Sequence, residues 1–159
     1  MTEITPFLWY AKDVEEAAHF YCSVVPNSRI DWVTTLPSDS PSGPAGSVVV
    51  VDFTLAGRKF QAMAAGPLDP FNHAVSFVIE CDGQAELDRV WAGLLEGGGK
   101  EQQCGWLRDR YGLHWQILPK GYFEMMRDPN RAKAKRLTDA MLAMVKLDEA
   151  ALRKAFEGA

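Results

Sequence analysis

Two glutamines, two histidines, an arginine and a tryptophan stand in strand-like segments and are the chain's best candidates for chemistry. Gln61 closes the run Gly57-Arg58-Lys59-Phe60, and Gln116 closes Gly112-Leu113-His114-Trp115, so the two amides occupy matching places. An amide does not titrate. Gln61 and Gln116 can therefore fix a polar group by hydrogen bonds but cannot act as general acid or base. His73 and His114 share the parity of Val75 and Gln116, which turns both imidazoles toward the same side as those residues. As metal ligands they would want a carboxylate partner, and none stands on these strands. They read as hydrogen-bonded histidines of a pocket or its rim, and His19, on a helix, as a surface residue. By alternation a pocket would be lined by Leu8, Tyr10, Gln61, Met63, His73, Val75, Phe77, His114, Gln116 and Leu118, with Trp106 and Arg108 on a neighbouring strand. Apolar and aromatic walls with a few amides and imidazoles suit a small molecule. The same alternation also fits side chains that simply fill a core.

Other reactive groups carry less. Cys22, Cys81 and Cys104 are odd in number, far apart and in no C-x-x-C spacing, which argues against a disulfide framework or a thiolate metal site and points to a reducing, cytoplasmic setting. Nothing local in the sequence activates the Cys104 thiol, so it reads as a small buried residue. The basic run Arg127, Arg131, Lys133, Lys135 and Arg136 fits the solvated face of a helix whose apolar stripe is Leu137, Met141 and Met144. That stripe could pack on the domain or on a second subunit. No G-x-S-x-G elbow occurs. A formal charge of −4 argues against nucleic acid as the main partner. The apolar stretch Val48 to Val51, like every other apolar run in the sequence, falls far short of the roughly 20 residues of a membrane span. The N-terminal residues have neither the basic start nor the apolar run of a signal peptide.

The elements that position these residues are written twice. Phe7 to Tyr10 reads as a strand; Asp13 then caps a helix with Ala17, Ala18, Phe20, Tyr21 and Val24 at helical spacing. Ala74 to Ile79 is again strand-like, Asp82 caps, and Leu87, Val90, Trp91, Leu94 and Leu95 keep the helical period until Gly97-Gly98-Gly99 stops it. Further strands are expected over 29–36, 47–55 and 57–63 in the first copy, and over 104–108 and 112–118 in the second. The loop from Pro37 to Gly46 is long and rich in Ser, Pro and Gly. The prediction is one α+β domain of 159 residues: two βαβββ modules, about 3–66 and 73–119, forming a curved mixed sheet around a cavity with helices outside. A C-terminal helical extension follows over about 120–157.

The chain resembles the vicinal oxygen chelate superfamily, which includes glyoxalase I, extradiol dioxygenases and bleomycin-resistance proteins. Within it, the chain is similar to the PhnB-like branch labelled 3-demethylubiquinone-9 3-methyltransferase. The likeness rests on Ile4-Thr5-Pro6-Phe7-Leu8-Trp9, Phe20-Tyr21, Leu87-Asp88-Arg89-Val90-Trp91, the run from Gly99 to Gly112, Trp115-Gln116-Ile117-Leu118-Pro119, and the tail residues Ala140 to Met144 and Lys146-Leu147-Asp148. It covers nearly the whole chain.

The resemblance implies four metal-holding positions, which fall on Pro6, on Val75 (or Ala74), on Gln61 and on Gln116. Two apolar residues and two neutral amides make a very weak site for a divalent ion. The expectation is no metal and no cofactor. Methyl transfer of the common type needs a glycine-rich turn leaving a strand, whereas the only glycine cluster follows a helix. Two functions compete: metal-free binding of a small molecule of unknown identity through Gln61, Met63, His73, Trp106, Arg108, His114 and Gln116, or a metal-dependent lyase, isomerase or dioxygenase-type enzyme. A third is an interaction module with a vestigial pocket. The resemblance also implies a homodimer.

Overall fold

A computed structural model describes residues 1–158. The chain divides into two compact units, Met1–Pro70 and Phe71–Ala159, called units 1 and 2 below.

Unit 1 begins with strand β1 (Phe7–Tyr10), helix α1 (Val14–Val24), and strands β2 (Arg29–Thr35), β3 (Val49–Leu55) and β4 (Arg58–Ala64). The sheet order is β1-β4-β3-β2, with β1 parallel to β4 and the other pairs antiparallel. One face is apolar because Leu8, Tyr10, Val51, Phe53, Phe60 and Ala62 alternate onto it. Helix α1 covers that face with Val14, Ala17, Ala18, Phe20 and Tyr21. The Tyr10 and Tyr21 hydroxyls satisfy each other there at 3.0 Å.

Unit 2 repeats the plan with β5 (Ser76–Cys81), α2 (Gln84–Leu95), β6 (Lys100–Glu101), β7 (Trp106–Arg108) and β8 (His114–Pro119). Its order is β5-β8-β7-β6, and the one parallel pair is again the first strand with the last. The fold is thus α+β, two βαβββ modules with a four-stranded mixed sheet each, as expected. Helices α3 (Tyr122–Met126), α4 (Arg131–Leu142) and α5 (Glu149–Glu157) form the C-terminal extension. No helix among the described residues is long and apolar enough to cross a membrane.

Several local expectations are corrected. Asp13 holds the N-cap position of α1 in a left-handed conformation, φ 58°, and its carboxylate caps nothing; it lies 3.5 Å from Lys12. The cap of α2 is Gly83, not Asp82. Asp82 instead donates its backbone N–H to the Glu86 carboxylate at 2.6 Å, a first-turn contact that supports the same helix end. The strand expected from Cys104 starts only at Trp106, because Cys104 and Gly105 both take positive φ, 62° and 79°. The triglycine does follow α2, with Gly97 and Gly98 at positive φ, so it stops a helix rather than opening one. Of the stripe expected on α4, Leu137 packs on the domain, being fully buried within unit 2 where α4 meets α3 and α5.

Candidate functional site

The β7–β8 ladder decides which side chains meet in unit 2. Arg108 pairs with His114, and Trp106 pairs with Gln116 two residues along, so all four side chains stand on one face of the sheet. On the other side of β8, Ser76 pairs with His114 and Val78 with Gln116. The Gln116 amide donates to the Ser76 hydroxyl at 2.9 Å. His114 is buried, and its Nδ1 lies 3.2 Å from Oε1 of Gln102. His73 sits in the turn before β5, and its ring meets the His114 ring edge-on, centroids 5.6 Å apart. The opposite face carries Leu107, Trp115 and Ile117 against α2. A guanidinium, two imidazoles, two amides, a hydroxyl and an indole thus share one patch.

Burial holds the His114 imidazole below its ordinary value of 6.5, with His73 and then Arg108 pushing in the same direction and Asp109 opposing them. The sign of the consequence follows from linkage. A depressed pKa means that the unfolded chain takes up a proton here before the folded one, so the contribution is fully present above the unfolded pKa of about 6.5 and is lost as pH falls through the folded value. The urea midpoint is expected to hold between pH 8 and 7 and to drop below pH 6.5. In His114→Gln the drop should be shallower, and identical pH profiles for the two proteins would remove His114 as its cause.

In unit 1, Gln61 and Met63 alternate onto the face opposite α1, paired with Phe7 and Trp9. Asp52 is the cross-strand neighbour of Gln61 and accepts its amide N–H at 2.7 Å. A pocket of about 390 Å³ opens here, lined by Gln61 and Asp52 with Thr5, Trp32, Phe60 and neighbouring ionised groups.

Five of the seven expected site residues, His73, Trp106, Arg108, His114 and Gln116, therefore gather in unit 2, and Gln61 and Met63 share a face in unit 1. Leu8 and Tyr10 do not line a pocket: the register places Leu8 opposite Ala62 and Tyr10 opposite Ala64, on the core side. Phe77 is likewise on the α2 side, its ring 5.8 Å from Trp115. Val75 precedes β5 and is 64% exposed. The positions carried over as Pro6 and Val75 both lie just outside the strands, β1 beginning at Phe7 and β5 at Ser76. The backbone N–H of Gln61 donates to the Pro6 carbonyl, which leaves Thr5 on the side of the Gln61 side chain, and Ser76 is the residue that reaches Gln116. Asp52, Ser76 and Gln102 were missed by sequence reasoning. Only Asp52 left a signal, an acid inside the apolar run Val48 to Phe53.

These donors do not fit a divalent cation. Thr5 and Gln61 in unit 1, and Ser76 and Gln116 in unit 2, are neutral and offset none of a cation's charge, and among the described residues no three His, Cys, Asp or Glu side chains group to hold an ion. The thiols are equally unsuited. Burial pushes Cys81 up to about 12 and also raises Cys22. The basic run is committed within the fold: Arg136 donates to the Ala155 and Phe156 carbonyls, Arg131 to those of Met126 and Asp128, and Lys133 pairs with Glu157 at 2.8 Å.

Three comparisons place this geometry among known proteins. The family model described as 3-demethylubiquinone-9 3-methyltransferase matches residues 2–118. Among solved structures, the PhnB protein from Bacillus cereus is 28% identical, covering 74% of this chain and 99% of that one, with a TM-score of 0.63. A Pseudomonas aeruginosa protein is 21% identical, with coverages of 75% and 98% and a TM-score of 0.57. The fosfomycin resistance protein FosX from Mesorhizobium loti is 12% identical, with coverages of 80% and 98% and a TM-score of 0.57. The last two likenesses are of fold. No curated protein matches the chain.

Proposed function

The chain belongs to the family described as 3-demethylubiquinone-9 3-methyltransferase, a PhnB-like branch of the vicinal oxygen chelate superfamily, and from that premise we propose that it binds a small aromatic anion without a metal on the open sheet face of unit 2. The observation that carries this reading is the ladder itself, which sets Arg108 against His114 and Trp106 against Gln116 on one face. A guanidinium fork matches the oxygens of a carboxylate or phosphonate, and the bonds are charge-assisted. Gln116 adds an amide donor, and the Trp106 ring offers a flat apolar surface for the body of the ligand. No metal needs to bridge ligand and protein in this scheme, because Arg108 itself supplies the positive charge. The methyl transfer in the family's description has no support in the turns of this chain. The β1–α1 turn reads Ala11-Lys12-Asp13 and the β5–α2 turn Asp82-Gly83, neither a glycine-rich cradle for a nucleotide.

Titration calorimetry with phenylphosphonate tests the proposal. Binding should survive EDTA, and Arg108→Ala should raise Kd about 10- to 100-fold, the loss of a hydrogen bond to a charged group being worth roughly 1.5–3 kcal/mol. Affinity should also rise as pH falls from 8 to 6, because an adjacent anion favours the imidazolium form of His114. Equal affinity in Arg108→Ala, or binding abolished by EDTA, would remove this reading.

A further inference from the structure

We infer that the pocket of unit 1 is a second binding site, selective for a small organic cation that carries N–H donors on an aromatic or alkyl body. The pocket holds about 390 Å³ and is lined by Glu3, Arg29, Asp31, Trp32, Asp52, Lys59 and Gln61 among others. That volume falls within the range of small-molecule sites. Its charge is unbalanced, since three carboxylates face two cations, and the pairing shows where the imbalance rests.

Asp31 is fully engaged, meeting the Arg29 guanidinium at 2.7 Å and accepting from the Thr54 hydroxyl at 2.6 Å. Glu3 stands 3.8 Å from Lys59, both at the exposed margin. Asp52 is different. It accepts one hydrogen bond, from the neutral Gln61 amide at 2.7 Å, and no Lys, Arg or His pairs with it among the described residues. A carboxylate has about four acceptor sites, so most of its capacity faces the pocket.

The β2–β3 register then supplies the second recognition element. A bulge between Ile30 and Trp32 brings Trp32, rather than Asp31, opposite Asp52, and the indole is left 65% exposed. The row across the sheet therefore reads Trp32, Asp52, Gln61, Phe7. An ammonium or amidinium seated on this row would donate to Asp52 and meet the face of Trp32, the ring most favourable to a cation. An anion would find Arg29 and Lys59 already paired and the Asp52 charge opposing it. This inference is independent of the anion site in unit 2, which uses none of these residues.

Phenethylammonium is the probe, with 2-phenylethanol as its uncharged counterpart, titrated by calorimetry and by amide and indole NMR shifts. The cation should bind at least tenfold more tightly than the alcohol and move the Gln61 side-chain amide and the Trp32 indole signals. Asp52→Asn keeps an acceptor for Gln61 while removing the charge, and should weaken the cation at least tenfold without changing the alcohol. Trp32→Leu should weaken it severalfold, and serves where Asp52→Asn fails to fold. Arg108→Ala should leave phenethylammonium binding unchanged, which separates this site from the one in unit 2. Equal affinity for amine and alcohol, full affinity in Asp52→Asn, or shifts confined to residues after Pro70 would each overturn the inference.

Discussion

Replacing Asp109 with alanine is expected to destabilise the protein by about 4 kcal/mol and to lower its melting temperature by roughly 10 °C. Asp109 is 1% exposed, and its two oxygens organise the turn that joins β7 to β8. One oxygen accepts from the backbone N–H groups of Tyr111 and Leu113, at 2.8 and 3.0 Å, and the other from the Trp115 indole at 2.8 Å. Alanine would take that acceptor from three donors at once, and each buried donor so deprived costs about 1–3 kcal/mol. Asn should cost about half as much, because its carbonyl keeps one acceptor while its NH₂ meets a donor. Thermal unfolding of the two variants beside the parent measures the order Asp, Asn, Ala, and a change below about 1 kcal/mol in Asp109→Ala would contradict it. The effect reaches the site. The same turn sets Arg108 opposite His114, so phenylphosphonate affinity should fall in Asp109→Ala although Asp109 touches no ligand.

This turn also marks how far the residues could be read before the structure. The strand around Trp115-Gln116, with a glycine before it and alternation through it, was legible, as was its twin around Gln61. The helical period of Leu87, Val90, Trp91 and Leu94 was legible too, and all four are buried. Which face each strand presents was not. Alternation sorts residues into two sets but leaves open which set meets a neighbour's, and that depends on the register of the parallel pairs. Phe7, not Leu8, stands opposite Gln61, so Leu8 and Tyr10 pass to the core. The face expected for β5 was wrong in the same way, since Ser76 and Val78, not Val75 and Phe77, stand opposite His114 and Gln116. Both errors are a shift of one residue, which moves every side chain to the other face. Of the residues expected to bind, His73 reached the site through the turn rather than the strand, and its ring still meets His114. The role of Asp109 lay beyond pattern, because a carboxylate between Arg108 and Arg110 reads as a surface ion pair until its three donors are seen.

Leu147→Ala is expected to cost about 3 kcal/mol and to loosen the backbone just before Trp106. Leu147 is fully buried in the segment between α4 and α5, and a Cβ built on Gly105 would meet its side chain at 3.0 Å. Close approach and a φ of 79° together require glycine at 105. The tail is tied to this turn from both sides. Cys104 and Gly105 donate their backbone N–H groups to the Met144 and Val145 carbonyls at 2.8 and 2.7 Å. The Gln84 side chain at the head of α2 donates to the Leu147 carbonyl and accepts from the Glu149 N–H. Truncating Leu147 removes the apolar contact under these bonds and leaves a cavity, so the hydrogen exchange of the Cys104 and Gly105 amides should accelerate along with the loss of stability. Lys146→Ala provides the contrast, because its pair with Asp88 at 2.6 Å is nearly half exposed on both sides and such pairs contribute about 0–1 kcal/mol. If the two variants lost equal stability, or if the Cys104 and Gly105 amides stayed protected in Leu147→Ala, the tail would be an appendage. The expected outcome makes it the support on which β7, and with it Arg108 and Trp106, is held.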